Sequence, residues 1–154
     1  MESRYKRVFA AIDGGDTQQI VAEAAVRMAA ENHASLCLGH VVDALVAEAS
    51  SQDMSKLTAG VQERIEHDLA ELLDEARKDE AIPSVELRVM AGSVTETLGN
   101  VIIPDFDPDL VVCCKRGLSG IRYAFVGSVS TYLIRNMDCD VLVVRPEALE
   151  REDI

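Results

Sequence analysis

Long hydrophobic runs are missing from this sequence. The apolar stretch within Asp109 to Cys114 is typical of the longest, at a few residues, far short of the roughly 20 that a membrane-spanning helix needs. No membrane segment is expected. Met1 to Arg7 is charged and lacks the apolar core and small-residue cleavage site of a secretory leader, so the expected location is the cytoplasm. Paired metal-ligand spacings are also missing: Cys37, Cys113, Cys114 and Cys139 form no CxxC, and His33, His40 and His67 are scattered, which leaves no metal site. The four cysteines read as buried thiols of a reducing compartment. Basic residues are in deficit, and the net charge of −12 argues against affinity for nucleic acid or an anionic membrane surface. There is no GxxxxGK[ST] loop, no Ser-His-Asp set and no evident general base, so catalysis is not expected.

What is present is one domain's worth of alternating apolar segments. With 154 residues, 48% of them hydrophobic, the chain can bury a single sizeable core. We place the domain at 1–146 and an acidic tail at 147–154. Arg7 to Ile12 is a strand ending in the turn formers Asp13-Gly14-Gly15-Asp16, and Ile20, Val21, Ala24, Ala25 and Met28 then recur at helical spacing as far as Asn32. Ala34 to Val42 is a second strand, and residues 44–55, small and polar, read as a loop or a frayed helix start. Val61, Ile65, Leu69, Leu72, Leu73 and Ala76 predict one amphipathic helix. Pro83 to Met90 alternates as a strand, a helix runs from Ser93 to about Ile102, and Pro104 with Pro108 frames a loop. Asp109 to Cys114 and Asp140 to Val144 are the last strands, separated by a helix over Ser128 to Asn136. Five strands alternating with helices predict an α/β fold, a doubly wound five-stranded parallel sheet with helices on both faces.

In such sheets ligands bind beyond the carboxyl ends of the strands, where the winding reverses. One of the loops there is distinctive. From Val111 to Met137 the sequence carries Lys115, Arg116, Arg122 and Arg135 and no Asp or Glu, a basic island in an acidic chain. Within it, Cys114-Lys115-Arg116-Gly117 is followed by nine residues and then by Gly127-Ser128-Val129-Ser130 at a helix start. Glycines let backbone amides approach an anion, and a helix N-terminus offers unpaired donors and positive partial charge. Phosphate is the ligand this chemistry suits. Taken singly, the glycines would only turn the chain and Ser128 would be an ordinary N-cap; charge, spacing and position together favour the anion site. Lys115 and Arg116 beside Cys114 would lower a thiol pKa, a redox reading set against that of a simply buried thiol. Asp105, Asp107 and Asp109 around Pro108 read as a solvated acidic turn rather than a cation loop.

Arg116-Gly117-Leu118-Ser119-Gly120, Val126 to Ser130 and Asn136 to Arg145 resemble the C-terminal signature of universal stress proteins. Val8 to Asp13, His40-Val41-Val42-Asp43 and Gly92 fall where that family has its first strand, second strand and third-strand turn. The resemblance implies a Rossmann-like fold of the adenine nucleotide α-hydrolase type, an ATP or AMP ligand with or without Mg²⁺, a regulatory role in the stress response, and a homodimer joined through Asp140 to Val144. ATP-binding members carry Gly, two residues, Gly, nine residues, Gly, then Ser or Thr. Here Gly117, Gly127, Ser128 and Val129 match the phosphate contacts, while Cys114 stands where the first glycine belongs. A side chain there crowds the ligand, and a positive φ would be strained. By the same resemblance Ile12, Asp13 and Val41 flank the adenine; on its own residues, Asp13 serves equally as a cap for the following helix. A nucleotide-binding regulator, a dimeric interaction protein that has lost nucleotide binding and a slow ATP hydrolase all remain open.

Overall fold

The computed structural model describes residues 2–50, 52–114 and 128–146. Five strands, β1 (Arg7–Ala11), β2 (Ser35–Asp43), β3 (Val85–Gly92), β4 (Leu110–Cys114) and β5 (Asp140–Val144), form one sheet in the order β3-β2-β1-β4-β5. Every pairing is parallel. The expected doubly wound sheet is therefore present, and its winding reverses between β1 and β4. Asp109 fixes the entry to this central pair by accepting from the amides of Lys6 (2.7 Å) and Arg7 (3.0 Å). It is thus a sheet anchor, whereas Asp105, paired with Arg88 of β3, and Asp107 are exposed, as expected of a solvated acidic turn.

Alternation along the strands divides the core into two layers, because successive side chains point to opposite faces. Val8, Ala10, Ile12, Leu36, Leu38, Leu110 and Val112 face one way and pack against α1 (Gln18–Asn32), α3 (Met54–Asp68) and α4 (Ala70–Lys78). On α1 the contact residues Ala22, Ala25 and Ala29 are fully buried, and their small side chains bring the helix close to the sheet. Phe9, Cys37, Val41, Val111 and Cys113 face the other way, against Leu98, Ile102, Phe106 and Leu133. Adjacent Cys113 and Cys114 thus lie on opposite faces, and none of the four cysteines is in a disulfide.

Three local expectations are corrected. Residues 44–55 are largely helical: α2 (Ala44–Ala49) starts where Asp43 accepts from the amide of Leu45 (2.9 Å), and α3 starts where Asp53 accepts from that of Ser55 (3.0 Å). Each aspartate satisfies an amide that a helix start leaves unpaired. The single helix expected over 61–76 bends at Leu69 (φ −106°, ψ 17°) into α3 and α4. The Leu69 amide still bonds to Ile65 and its carbonyl to Leu73, both at 2.9 Å, so the bend keeps its hydrogen bonds while Ile65, Leu69 and Leu73 all stay buried. Pro104 lies inside a helical run: α5 (Val94–Thr97) leads into a π-helical turn (Leu98–Ile102) and then α6 (Ile103–Phe106). Proline lacks the N–H that a regular helix would use at this point. The amide of Ile103 instead reaches back five residues to Leu98, the wider turn that commonly absorbs such a break. The last helix, α7 (Ser128–Asn136), and β5 agree with expectation. Among the described residues no helix is long and apolar enough to cross a membrane.

Candidate functional site

At the carboxyl ends of β1, β2 and β4 the two helical layers diverge and leave a cleft of about 530 Å³, within the usual span for small-molecule sites of about 300–1,000 Å³. One wall comes from α3, through Leu57, Val61 and Arg64; the other comes from α5, the π turn and α7, through Val94, Leu98, Val129 and Ser130. Its floor is the sheet edge itself, with Ile12, Asp13, Val41 and Cys114 all lining it. Five of the eight expected site residues therefore converge: Ile12, Asp13, Val41, Cys114 and Val129. Gly117, Gly127 and the side chain of Ser128 lie outside the described residues, as does the acidic tail.

Asp13 organises the first rim. One carboxylate oxygen accepts from the amide of Gly15 and the other from the hydroxyl of Thr17, each at 2.9 Å. Its expected role as a cap of the following helix is corrected: the N-cap of α1 is Thr17, and Asp13 instead closes the turn before it. Between them Gly14 has φ 77°, a left-handed conformation that favours glycine. It also makes room for His40: a Cβ on Gly14 would lie 3.3 Å from the ring. The His40 Nδ1 sits 2.9 Å from the carbonyl oxygen of Ile12. A carbonyl can only accept, so Nδ1 carries the hydrogen, and in the neutral ring Nε2 keeps its lone pair.

Cys114 closes the second rim. Its backbone does not adopt positive φ, so the strain anticipated from a glycine position does not arise and only the bulk of the side chain remains. Burial raises the thiol to about 11, with a hydrogen bond shared with Thr17 opposing the shift and the nearby Asp13 charge adding to it. The thiol therefore stays protonated, which agrees with the buried-thiol reading and not with the redox one. Ser130, only 2% exposed, donates from its hydroxyl to the carbonyl of Cys114 at 2.8 Å. Asp13, Thr17, Cys114 and Ser130 thereby link the ends of β1 and β4 to the starts of α1 and α7. The first turn of α7 meets the cleft with the positive end of its dipole. The site thus offers apolar walls for a flat ring, acceptors at one rim and anion-attracting backbone at another. Among the described residues no cluster of His, Cys, Asp and Glu is arranged to hold a metal ion.

Sequence reasoning does not single out Thr17, His40, Asp43, Arg64 or Ser130, all of which line the cleft. His40 and Asp43 had a signal, since they flank Val41 at a strand's carboxyl end. Arg64 had none, because only the packing of α3 brings it there.

Comparison with known proteins places this geometry among relatives. The model of the universal stress protein family matches residues 4–145. A universal stress protein of Staphylococcus saprophyticus is 30% identical over 148 residues, spanning 96% of this chain and 88% of its own. One from Staphylococcus aureus is also 30% identical, with 94% and 87% covered. Among solved structures, the universal stress protein UspA from Lactobacillus plantarum superposes with a TM-score of 0.63 at 24% identity, covering 94% of this chain and 100% of its own. A universal stress protein solved in complex with cAMP gives 0.61 at 24% identity, with 91% and 96% covered. At these identities the structural likenesses speak for the fold.

Proposed function

The chain belongs to the universal stress protein family, and on that premise we propose that it is a cytoplasmic regulatory protein that binds an adenine nucleotide, ATP or AMP, in the cleft between β1 and β4. The observation that carries this reading is the convergence of Ile12, Asp13, Val41, Cys114 and Val129 on one cleft at the winding reversal. Val41, Val94 and Leu98 supply apolar contact for the base, and Asp13 supplies acceptors for an exocyclic amine or a ribose hydroxyl. Val129 opens the α7 turn, and Gly117, Gly127 and Ser128 complete the phosphate contacts in this proposal, with Mg²⁺ accompanying a triphosphate. The relative in complex with cAMP supports an adenine ligand. Four free thiols fit a reducing cytoplasm.

Two measurements test it. Mass spectrometry of the purified protein after denaturation is expected to find adenine nucleotide, and calorimetric titration with ATP and Mg²⁺ is expected to give saturable heat. Absence of both overturns the reading in favour of an interaction protein without nucleotide. Phosphate release at a steady rate would instead move it to the slow hydrolases.

The bulk of Cys114 makes a further expectation. Replacing it with glycine removes a side chain from the floor without relieving any backbone strain, and ATP affinity is expected to rise about tenfold, equivalent to about 1.4 kcal/mol. An equal or weaker affinity by the same titration would mean that the cleft is shaped around the thiol.

The proposal extends to a homodimer through β5. This strand lies at the sheet edge, where unpaired backbone groups invite a second strand, and Leu142 on it is 38% exposed. An antiparallel partner across a two-fold axis would cover both. Light scattering is expected to give twice the monomer mass, reduced to the monomer by Leu142→Lys. Val143 is the poorer position to change because it packs against the core. A monomer mass for the unaltered protein rejects the interface.

A further inference from the structure

Leu57, Val61 and Arg64 line the cleft together, and their spacing of four and three residues puts them on one face of α3. The face is apolar at its first two positions and cationic at its third. Arg64 is the one cationic side chain among the described residues that line the cleft. The two carboxylates in the same lining are already engaged. Asp13 accepts from Gly15 and Thr17, and Asp43 accepts from the amide of Leu45 at 2.9 Å. Among the described residues Arg64 takes part in none of the ion pairs. The segment from Val111 to Met137, which includes the loop beyond β4, contains no Asp or Glu that could pair with it.

Position adds to charge. The helix α3 belongs to the layer that packs with α1 and α4, whereas Val129 and Ser130 of α7 belong to the opposite layer. Anion-attracting groups therefore face the cleft from both walls, the amides of the α7 turn on one side and a guanidinium on the other. A ligand with a single phosphate satisfies one wall. A chain of phosphates reaches both, and a planar guanidinium suits the geometry of a phosphate group.

We infer that Arg64 is a specificity-determining residue that contacts the outer phosphates of a nucleoside di- or triphosphate and so favours ATP over AMP. This rests on the nucleotide reading of the cleft given above. The experiment is calorimetric titration of the wild-type protein, Arg64→Gln and Arg64→Lys with ATP, AMP and adenosine at two salt concentrations. Arg64→Gln is expected to weaken ATP about tenfold while AMP and adenosine stay within about twofold. The salt dependence of ATP binding should become shallower, because one charged contact is gone, and Arg64→Lys should restore most of the ATP affinity. Arg64 is exposed, so the thermal midpoint of both variants is expected to match the wild type, which separates a ligand contact from a folding defect. Unchanged ATP affinity in Arg64→Gln, or an equal loss for ATP, AMP and adenosine, overturns the assignment. A wild-type protein that binds none of the three overturns the nucleotide reading itself.

Discussion

Gly39→Val is expected to destabilise the fold by about 3 kcal/mol, lowering the melting temperature by roughly 6–12 °C for a chain of this size. Gly39 lies in the middle of β2, and a Cβ there would run into the ring of Phe9, with the methyl of Ile102 3.4 Å away. The ring has nowhere to retreat. Phe9 is fully buried, its centroid lies 6.3 Å from that of Phe106, and Phe106 is itself fixed by the Arg7 guanidinium 4.1 Å above its ring. A densely packed interior passes such an intrusion to the strands rather than absorbing it. Thermal denaturation followed by circular dichroism reads the effect. A double-mutant cycle isolates the cause: Phe9→Leu should relieve part of the cost of Gly39→Ala, so that the pair costs at least about 0.5 kcal/mol less than the sum. Strict additivity, or a Gly39→Val protein that melts with the wild type, would show that the ring and the glycine do not compete for the same space.

Ser130→Val is expected to cost about 1–3 kcal/mol in denaturant unfolding, because it leaves the Cys114 carbonyl without the hydroxyl that bonds it in a buried setting. Valine also adds a methyl group at a site only 2% exposed, so overpacking contributes to the cost beside the lost hydrogen bond. The bond at 2.8 Å is also what ties the first turn of α7 to the end of β4, and both elements line the cleft. Under the nucleotide reading, ATP affinity is expected to fall about tenfold with it. Ser130→Ala, which deletes the same hydroxyl without added bulk, should move both measurements in the same direction. Wild-type stability in both variants would reduce Ser130 to a packing residue.

Several features of the site were legible before any coordinates. The end of β4 and the start of α7 are local features that the sequence places where the fold has them; the glycine cradle expected between them lies outside the described residues. Asp13 is legible as a strand-end carboxylate, but the choice between cap and ligand acceptor depends on what lies within reach of it. Folded, the carboxylate meets Gly15 and Thr17, and both are nearby in sequence. For Cys114 the buried-thiol reading holds and the redox alternative does not, for a different reason. Lys115 and Arg116 are its neighbours along the chain, whereas the thiol's ionisation follows its burial and its contacts with Thr17 and Asp13. Pro104 and residues 44–55 were misread because propensity treats each residue by itself; a π turn and two aspartate caps supply hydrogen bonds that such a reading does not count.

By itself the sequence determined the number of the strands and their succession along the chain, their parallel sense and the two-sided burial. These follow from periodicity, which records along the chain whether each side chain points to one core, to the other or to solvent. It also singles out the segment after β4 as the candidate for anion chemistry, since charge and glycine spacing are properties of one short segment. Only the tertiary structure decided that His40 from β2, Arg64 from α3 and Ser130 from α7 share a cleft with Asp13 and Cys114. Their meeting depends on the bend at Leu69, on how closely alanines let α1 approach the sheet, and on the crossovers that carry α3 and α7 to opposite faces. No pattern along the chain encodes those distances, because each is set by packing between segments that are far apart in sequence.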